Sequence, residues 1–246
     1  MKRYLSLLIA AAISAAPAFA APAVKRDSGK ALSNVLDRID ASASKLHTFS
    51  ASFTQVDIDP VFDEMTQYEG SFYFMRKTTP DNKKPIYMLR FDYMKPERSV
   101  TIINDTKIIL FTPDMIKPQE SYMVDNIKLE ALFAGFMSTR SLLEHYDIFL
   151  ADDTPTTVTL MLNPKTDAAR ENFKELRITF KKSTWLPVTV VQHKLNGQQI
   201  TFSFDKMVSN RTVPEKIFSA ESLKDLKLSR KKPEAKKPDA KKPADQ

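Results

Sequence analysis

The chain has 246 residues, with no cysteine and four glycines. Those counts exclude disulfides, thiol nucleophiles, thiolate metal sites and a glycine-rich phosphate loop. Of the formal net charge of +7, Lys2 and Arg3 carry two and the residues from Arg230 onward a net four, so the body sits near +1 and nothing indicates a basic nucleic-acid-binding surface.

Lys2 and Arg3 precede an apolar run from Tyr4 to Ile13, and Ala18-Phe19-Ala20 closes the segment. A positive end, a short apolar stretch and an A-x-A ending predict a cleavable signal over residues 1–20, with a mature chain from Ala21. The run is shorter than the ~20 apolar residues of a permanent transmembrane helix. The expected place of work lies outside the cytoplasm. About 200 residues then remain before a charged tail, enough for one domain with a core, expected over residues 21–229.

From Ser33 to His47, apolar residues recur at helical spacing: Val35, Leu36, Ile39 and Ala43 follow Leu32. After this helix the period changes to two. Phe49, Ala51 and Phe53 alternate with Ser50, Ser52 and Thr54; Tyr68, Gly70, Phe72 and Phe74 alternate with Glu69, Ser71 and Tyr73. Strand-length pieces follow at Tyr87–Tyr93, Ser99–Ile103, Lys107–Thr112 and Ser121–Val124, each bounded by Pro, Asn or Asp.

Ile127–Phe136 and Thr139–Tyr146 read as two short helices, the first very apolar on one side, with Asp125 and Asn126 placed to cap it. Strand signals resume at Asp147–Leu150, Thr156–Leu162, Lys174–Phe180, Pro187–Gln192, Gln199–Phe204 and Lys216–Phe218, with a hairpin cue at Asn196-Gly197. No run of βαβ units occurs. Residues 230–246 repeat Lys-Lys-Pro with almost no apolar side chains and are expected to form an extended basic arm.

These elements predict one large antiparallel sheet with an N-terminal helix and a short helical insertion. Helices laid over the hollow side of a curved sheet would enclose a chamber lined with Phe, Leu and Met, a soft lining that suits acyl chains. Candidate lining residues are Phe53, Phe72, Phe74, Met88, Leu132, Phe133, Phe136 and Met137. Acyl burial contributes about 0.8 kcal/mol per methylene, so a dozen methylenes hold a guest firmly and release needs a partner. His47, His145 and His193 lack ligand spacing, and no serine sits in a G-x-S-x-G elbow. No metal, no cofactor and no enzymatic activity are expected.

Several short pieces, in order, resemble the LolA family of periplasmic outer-membrane lipoprotein carrier proteins. Phe53-Thr54-Gln55 resembles its F-x-Q; Gly70-Ser71-Phe72-Tyr73-Phe74 with Arg76 and Pro80 resembles its glycine-led second strand. Leu89-Arg90-Phe91-Asp92-Tyr93 with Pro96 resembles [FL]-R-[WF]-x-[YM]-x-x-P. Asn104-Asp105-Thr106-Lys107, Leu110-Phe111-Thr112-Pro113, Trp185-Leu186-Pro187, Asn196-Gly197, Thr201-Phe202, Asn210, Pro214 and Phe218 continue the likeness, which runs from about Leu32 to Phe218. The chain departs from the pattern at Phe91, where the family has Trp, at Asp105-Thr106 in place of D-G, and after Phe218, where the P-x-G ending is missing.

The resemblance implies a mainly β fold with some α: an unclosed antiparallel β-barrel of about eleven strands, covered by the N-terminal helix and a helical lid. It implies a periplasmic shuttle that carries acylated lipoproteins from the inner to the outer membrane. The implied partners are an inner-membrane ABC-type releasing complex and an outer-membrane receptor; a monomer is expected. A sensor or interaction module and a free-lipid carrier are alternatives on the same architecture. The family's lid-holding arginine, which bonds lid carbonyls, maps onto Arg90. Alternation alone puts Arg90 beside Met88 and Asp92 and opposite Leu89, Phe91 and Tyr93, which also suits a solvent-facing arginine.

Overall fold

The alternating pieces join one antiparallel sheet of eleven strands in the order β6-β5-β4-β3-β2-β1-β11-β10-β9-β8-β7. The strands are β1 Thr48–Asp59, β2 Glu64–Lys77, β3 Ile86–Lys95, β4 Ser99–Asn104, β5 Lys107–Phe111 and β6 Gln119–Tyr122. After the short helix Thr139–His145 come β7 Tyr146–Asp153, β8 Thr157–Pro164, β9 Glu175–Lys181, β10 Leu186–His193 and β11 Gln199–Ser209. This computed structural model describes residues 29–78, 85–112, 117–122, 136, 139–171, 173–224 and 226. The expected signal segment, the lid helix from Ile127 except for Phe136, and the basic tail lie outside the described residues.

The sheet is not closed, because β6 and β7 each pair with a strand on one side only. The chain between Tyr122 and Tyr146 therefore connects the two edge strands. The first and last strands of the meander meet where β1 pairs with β11, matching Phe53 to Phe204 and Gln55 to Phe202.

The register puts one set of alternate residues on one face of the whole sheet. Phe49, Ala51 and Phe53 lie opposite Phe74, Phe72 and Gly70, and Phe72 and Phe74 lie opposite Phe91 and Leu89. The same face continues through Phe204, Val190, Ile178, Leu160 and Ile148, and all these side chains join one buried cluster. Helix α1, Gly29–Lys45, covers this inner face with Val35, Leu36, Ile39 and Ala43. Each fully buried large apolar side chain contributes about 1.5–3 kcal/mol, so this cluster dominates stability. Arg76 closes the helix end by donating from Nη1 to the Ala43 carbonyl at 3.0 Å.

Gly70 is required by a close approach. A Cβ there would lie 2.2 Å from the Asp92 carbonyl oxygen and 2.8 Å from the Phe53 ring. The Asn196-Gly197 hairpin expectation holds, with Gly197 at φ 88° between β10 and β11.

One predicted strand is corrected. Lys216–Phe218 is not a strand: Glu215–Phe218 forms a 3-10 turn, followed by a second at Ala220–Leu223. Pro214 precedes the first turn, and the segment crosses the outer face of the sheet, where Phe218 and Leu223 pack on it. With its side chains spent on packing against a face, this segment adds no rung to the ladder. The first helix also starts earlier than its apolar spacing suggested, at Gly29, and ends at Lys45.

Candidate functional site

The inner face is built from rings. Phe53 meets Phe91 edge-on at 5.5 Å, and Phe72 meets Phe91 at 4.8 Å between centroids. Phe72 also reaches Phe204 at 5.4 Å, across the small side chain of Ala51 on the intervening strand. Into this cluster comes Phe136, the one described residue between Tyr122 and Thr139. Its ring lies 4.9 Å from Phe49, 5.5 Å from Phe72, 5.5 Å from Phe74 and 6.0 Å from Phe204, and only 1% of the residue is exposed. Phe136 thus occupies the middle of the apolar face.

The chain just after Phe136 is tied to α1. Thr139 donates from its backbone N–H to Asp40 Oδ1 at 2.6 Å and from its hydroxyl to the same oxygen at 2.9 Å. The carboxylate thereby supplies the acceptor that the first turn of the Thr139–His145 helix needs. Apolar packing holds Phe136 against the inner face, and a directed polar tie holds Thr139 against α1.

The inner face carries polar groups towards its β1–β2 hairpin end. Tyr93 donates its hydroxyl to Gln55 Oε1 at 2.8 Å, and Gln55 Nε2 donates to Asp57 Oδ1 at 2.8 Å. A cavity of about 490 Å³ opens beside them, lined by Gln55, Tyr68, Tyr93 and Pro96 among others. Burial raises the Asp57 carboxyl, against the opposing effects of Gln55 and Lys194, and burial likewise raises the Tyr93 phenol. Gln192, on the inner side of β10, is 2% exposed, and its Nε2 has no hydrogen-bond partner among the described residues.

The outer face differs in kind. Met88 packs there with Val100, Ile102, Ile109 and Phe111, beneath Phe218 and Leu223. Arg90 lies on the same side, 7% exposed. Its Nε donates to Asp92 Oδ1 at 2.8 Å, and its Nη1 donates to the Ile217 carbonyl at 2.7 Å and Ser222 Oγ at 2.8 Å. Asn104 Nδ2 donates to the Phe218 carbonyl at 3.3 Å, and Lys77 pairs with Glu215 at 2.7 Å. Burial raises the Asp92 carboxyl, and the Arg90 charge and hydrogen bond only partly offset this.

Of the candidate residues read from the sequence, Phe53, Phe72, Phe74 and Phe136 come together on the inner face. Met88 and Arg90 lie on the outer face, as the alternation Met88, Arg90, Asp92 against Leu89, Phe91, Tyr93 requires. The carbonyl that Arg90 holds belongs to the C-terminal turns, while Leu132, Phe133 and Met137 fall outside the described residues. Asp40 joins the site from outside the sequence candidates. It is ninety-nine residues from Thr139, and nothing local to it marks that contact.

Three solved structures illustrate the likeness in chain path. The Pseudomonas aeruginosa MucA/MucB complex is matched at 13% identity and a TM-score of 0.43, over 76% of this chain and 60% of that one. A putative outer membrane lipoprotein-sorting protein domain from Vibrio parahaemolyticus matches at 10% identity and a TM-score of 0.43, over 78% and 97%. The Mycobacterium tuberculosis lipoprotein LppX matches at 8% identity and a TM-score of 0.45, over 76% and 99%. At these scores the likenesses carry no functional weight, and this chain spans about three-fifths of the matched chain in the MucA/MucB complex. No curated protein matches the sequence. No helix among the described residues is long and apolar enough to cross a membrane. The family model for the outer membrane lipoprotein carrier protein LolA matches residues 44–221, which take in all eleven strands and the first C-terminal turn, and the chain belongs to that family.

Proposed function

We propose that this protein is a non-catalytic carrier, working in the periplasm, that shelters the acyl chains of lipoproteins between the inner and outer membranes. One observation carries the reading: the aromatic inner face is occupied at its centre by Phe136, a residue of the connection between the edge strands β6 and β7. A face that needs an apolar cover, and receives it from a connecting segment, can exchange that cover for a guest of the same chemistry. Phe53, Phe72 and Phe74 would line the guest site. Leu132, Phe133 and Met137 would move with Phe136 as the segment lifts. Nε2 of Gln192, without a partner among the described residues, would offer a donor to an ester carbonyl at the head of an acyl chain.

An ABC-type releasing complex at the inner membrane would load such a carrier, and an outer-membrane receptor would unload it. Burial of about 0.8 kcal/mol per methylene makes spontaneous release slow and gives both partners a task. Residues 1–20 would direct export, residues 21–229 would form the carrier domain, and the basic tail would act as a spacer or rest on anionic headgroups.

Native mass spectrometry of the protein taken from its own compartment tests the reading. The expected result is a bound acylated lipoprotein, with higher occupancy in Phe136→Ala. A bound free lipid would assign a free-lipid carrier. A stable protein complex with no acyl guest would assign an interaction module and overturn the shuttle.

A further inference from the structure

We infer that the outer face holds a second binding site, an anion site for a phosphate group, in the cleft between the C-terminal turns and strands β1–β3. The cleft measures about 770 Å³, and its lining includes Arg90, Asp92, Arg211, Lys216, Glu221 and Ser222. It lies on the opposite side of the sheet from Phe72, Phe91 and Phe136, so it is separate from the proposed acyl site.

Arg90 makes this cleft a built site. Its side chain is 9% exposed, and Nε and Nη1 are committed to Asp92, Ile217 and Ser222. Its Nη2 makes no hydrogen bond among the described residues, although Arg90 borders the cleft. Nη2 is not one of the buried side-chain atoms left without a partner, so it meets the solvent of the cleft and is open to an incoming acceptor.

The charges around it favour an anion. Arg211 and Lys216 are exposed at the rim and have no ion-pair partner among the described residues. Asp92 is already engaged by Arg90 Nε, and Glu221 is the other acid lining the cleft. Three cations against two carboxylates leave a positive cleft.

Geometry favours phosphate over carboxylate. A carboxylate gains most from a guanidinium by a two-pronged contact to two adjacent nitrogens. Here Nε and Nη1 are taken, so each prong pair is blocked. A tetrahedral phosphate can give one oxygen to Arg90 Nη2 and others to Arg211 and Lys216. Val213 and Ile217 on the cleft wall supply an apolar shoulder beside the charge. The phosphate could be free or part of a phospholipid headgroup.

Titration of the full mature chain with inorganic phosphate, followed by amide NMR, tests the site. Saturable shifts are expected at Tyr73, Ile217 and Ser222 and at the Arg90 Nε–H. The double variant Arg211→Ser with Lys216→Ser alters only exposed side chains and leaves the tail intact. It should weaken phosphate binding about ten-fold or more. Vesicles of phosphatidylcholine with phosphatidylglycerol separate the two sources. Weaker vesicle binding by the double variant than by the wild type assigns a headgroup; equal vesicle binding with weakened phosphate binding assigns free phosphate. Shifts confined to the tail, or phosphate binding unchanged in the double variant, overturn the proposal. Acyl-guest occupancy should stay at the wild-type level in the double variant, which keeps this test apart from that of the carrier reading.

Discussion

The two faces of strands β2 and β3 are made of alternate residues of the same segments, yet they are covered in opposite ways. On the inner side, Phe72, Phe74, Leu89 and Phe91 meet α1 and Phe136 through non-directional apolar contact. On the outer side, Arg90 and Asn104 grip the carbonyls of Ile217 and Phe218 through aimed hydrogen bonds. Apolar contact tolerates replacement by any oily surface, whereas a carbonyl held by a buried guanidinium must be replaced by another acceptor. The inner cover is therefore suited to exchange, and the outer cover to permanence.

The largest expected effect contrasts two rings of the inner cluster. Phe72→Ala should cost about 3–5 kcal/mol in urea unfolding, the usual result of emptying a core position. Phe136→Ala should cost clearly less, under about 2 kcal/mol, because a cover that lifts away contributes little to the global transition. The same variant should bind more of an environment-sensitive apolar dye. Equal losses for both rings would make Phe136 ordinary core and end the contrast.

Next in size, Arg90→Met should cost about 3 kcal/mol, since Asp92 loses its buried partner and two acceptors on the C-terminal turns lose their donor. Limited proteolysis should then cut within residues 211–226 first. Undiminished protection there would show that Phe218 and Leu223 suffice to hold the turns.

A smaller effect is expected at Asp40. Asp40→Ala should lower stability by about 1–2 kcal/mol through loss of both Thr139 bonds, and it should speed exchange of the dye without changing how much binds at saturation. An unchanged exchange rate would remove Asp40 from the closing of the inner face.

The smallest effect is a pH dependence of the outer face at Asp92. Burial raises the Asp92 carboxyl, so the folded state holds that proton more tightly than the unfolded chain does. Stability from this group should therefore rise as pH falls through the folded value towards the unfolded one, and decline again as pH rises. Urea midpoints of the wild type and Asp92→Asn across mildly acidic pH check the sign. The Asn variant should lack that rise.

Much of the sheet was legible because half-buried strands write a period of two into the sequence, as in Phe49, Ala51, Phe53 and in Phe72, Phe74. The alternation puts Met88 on the face of Arg90, and the structure corrects its place among the chamber-lining candidates: Met88 packs on the outer face beneath Phe218 and Leu223. It could not say what covers that face, because the cover arrives from Ile217, 127 residues downstream. Lys216–Phe218 looked like a strand because three residues of mixed polarity carry no reliable period, and Pro214 before them marked a boundary without naming what it bounded. Asp40 was unreadable for the same reason as the Arg90 cover: its partner is close in space and remote in sequence.

If the carrier proposed above is right, Phe136 has a consequence for selectivity. A binding face that already holds part of its own chain presents guests with a tethered rival at high effective concentration. A stray amphiphile with a short tail would gain too little to displace that rival, while a long-chain or multiply acylated cargo would win the exchange. In the proposed carrier the stopper would thus act as a threshold, filtering by how much oil a visitor brings rather than by its shape.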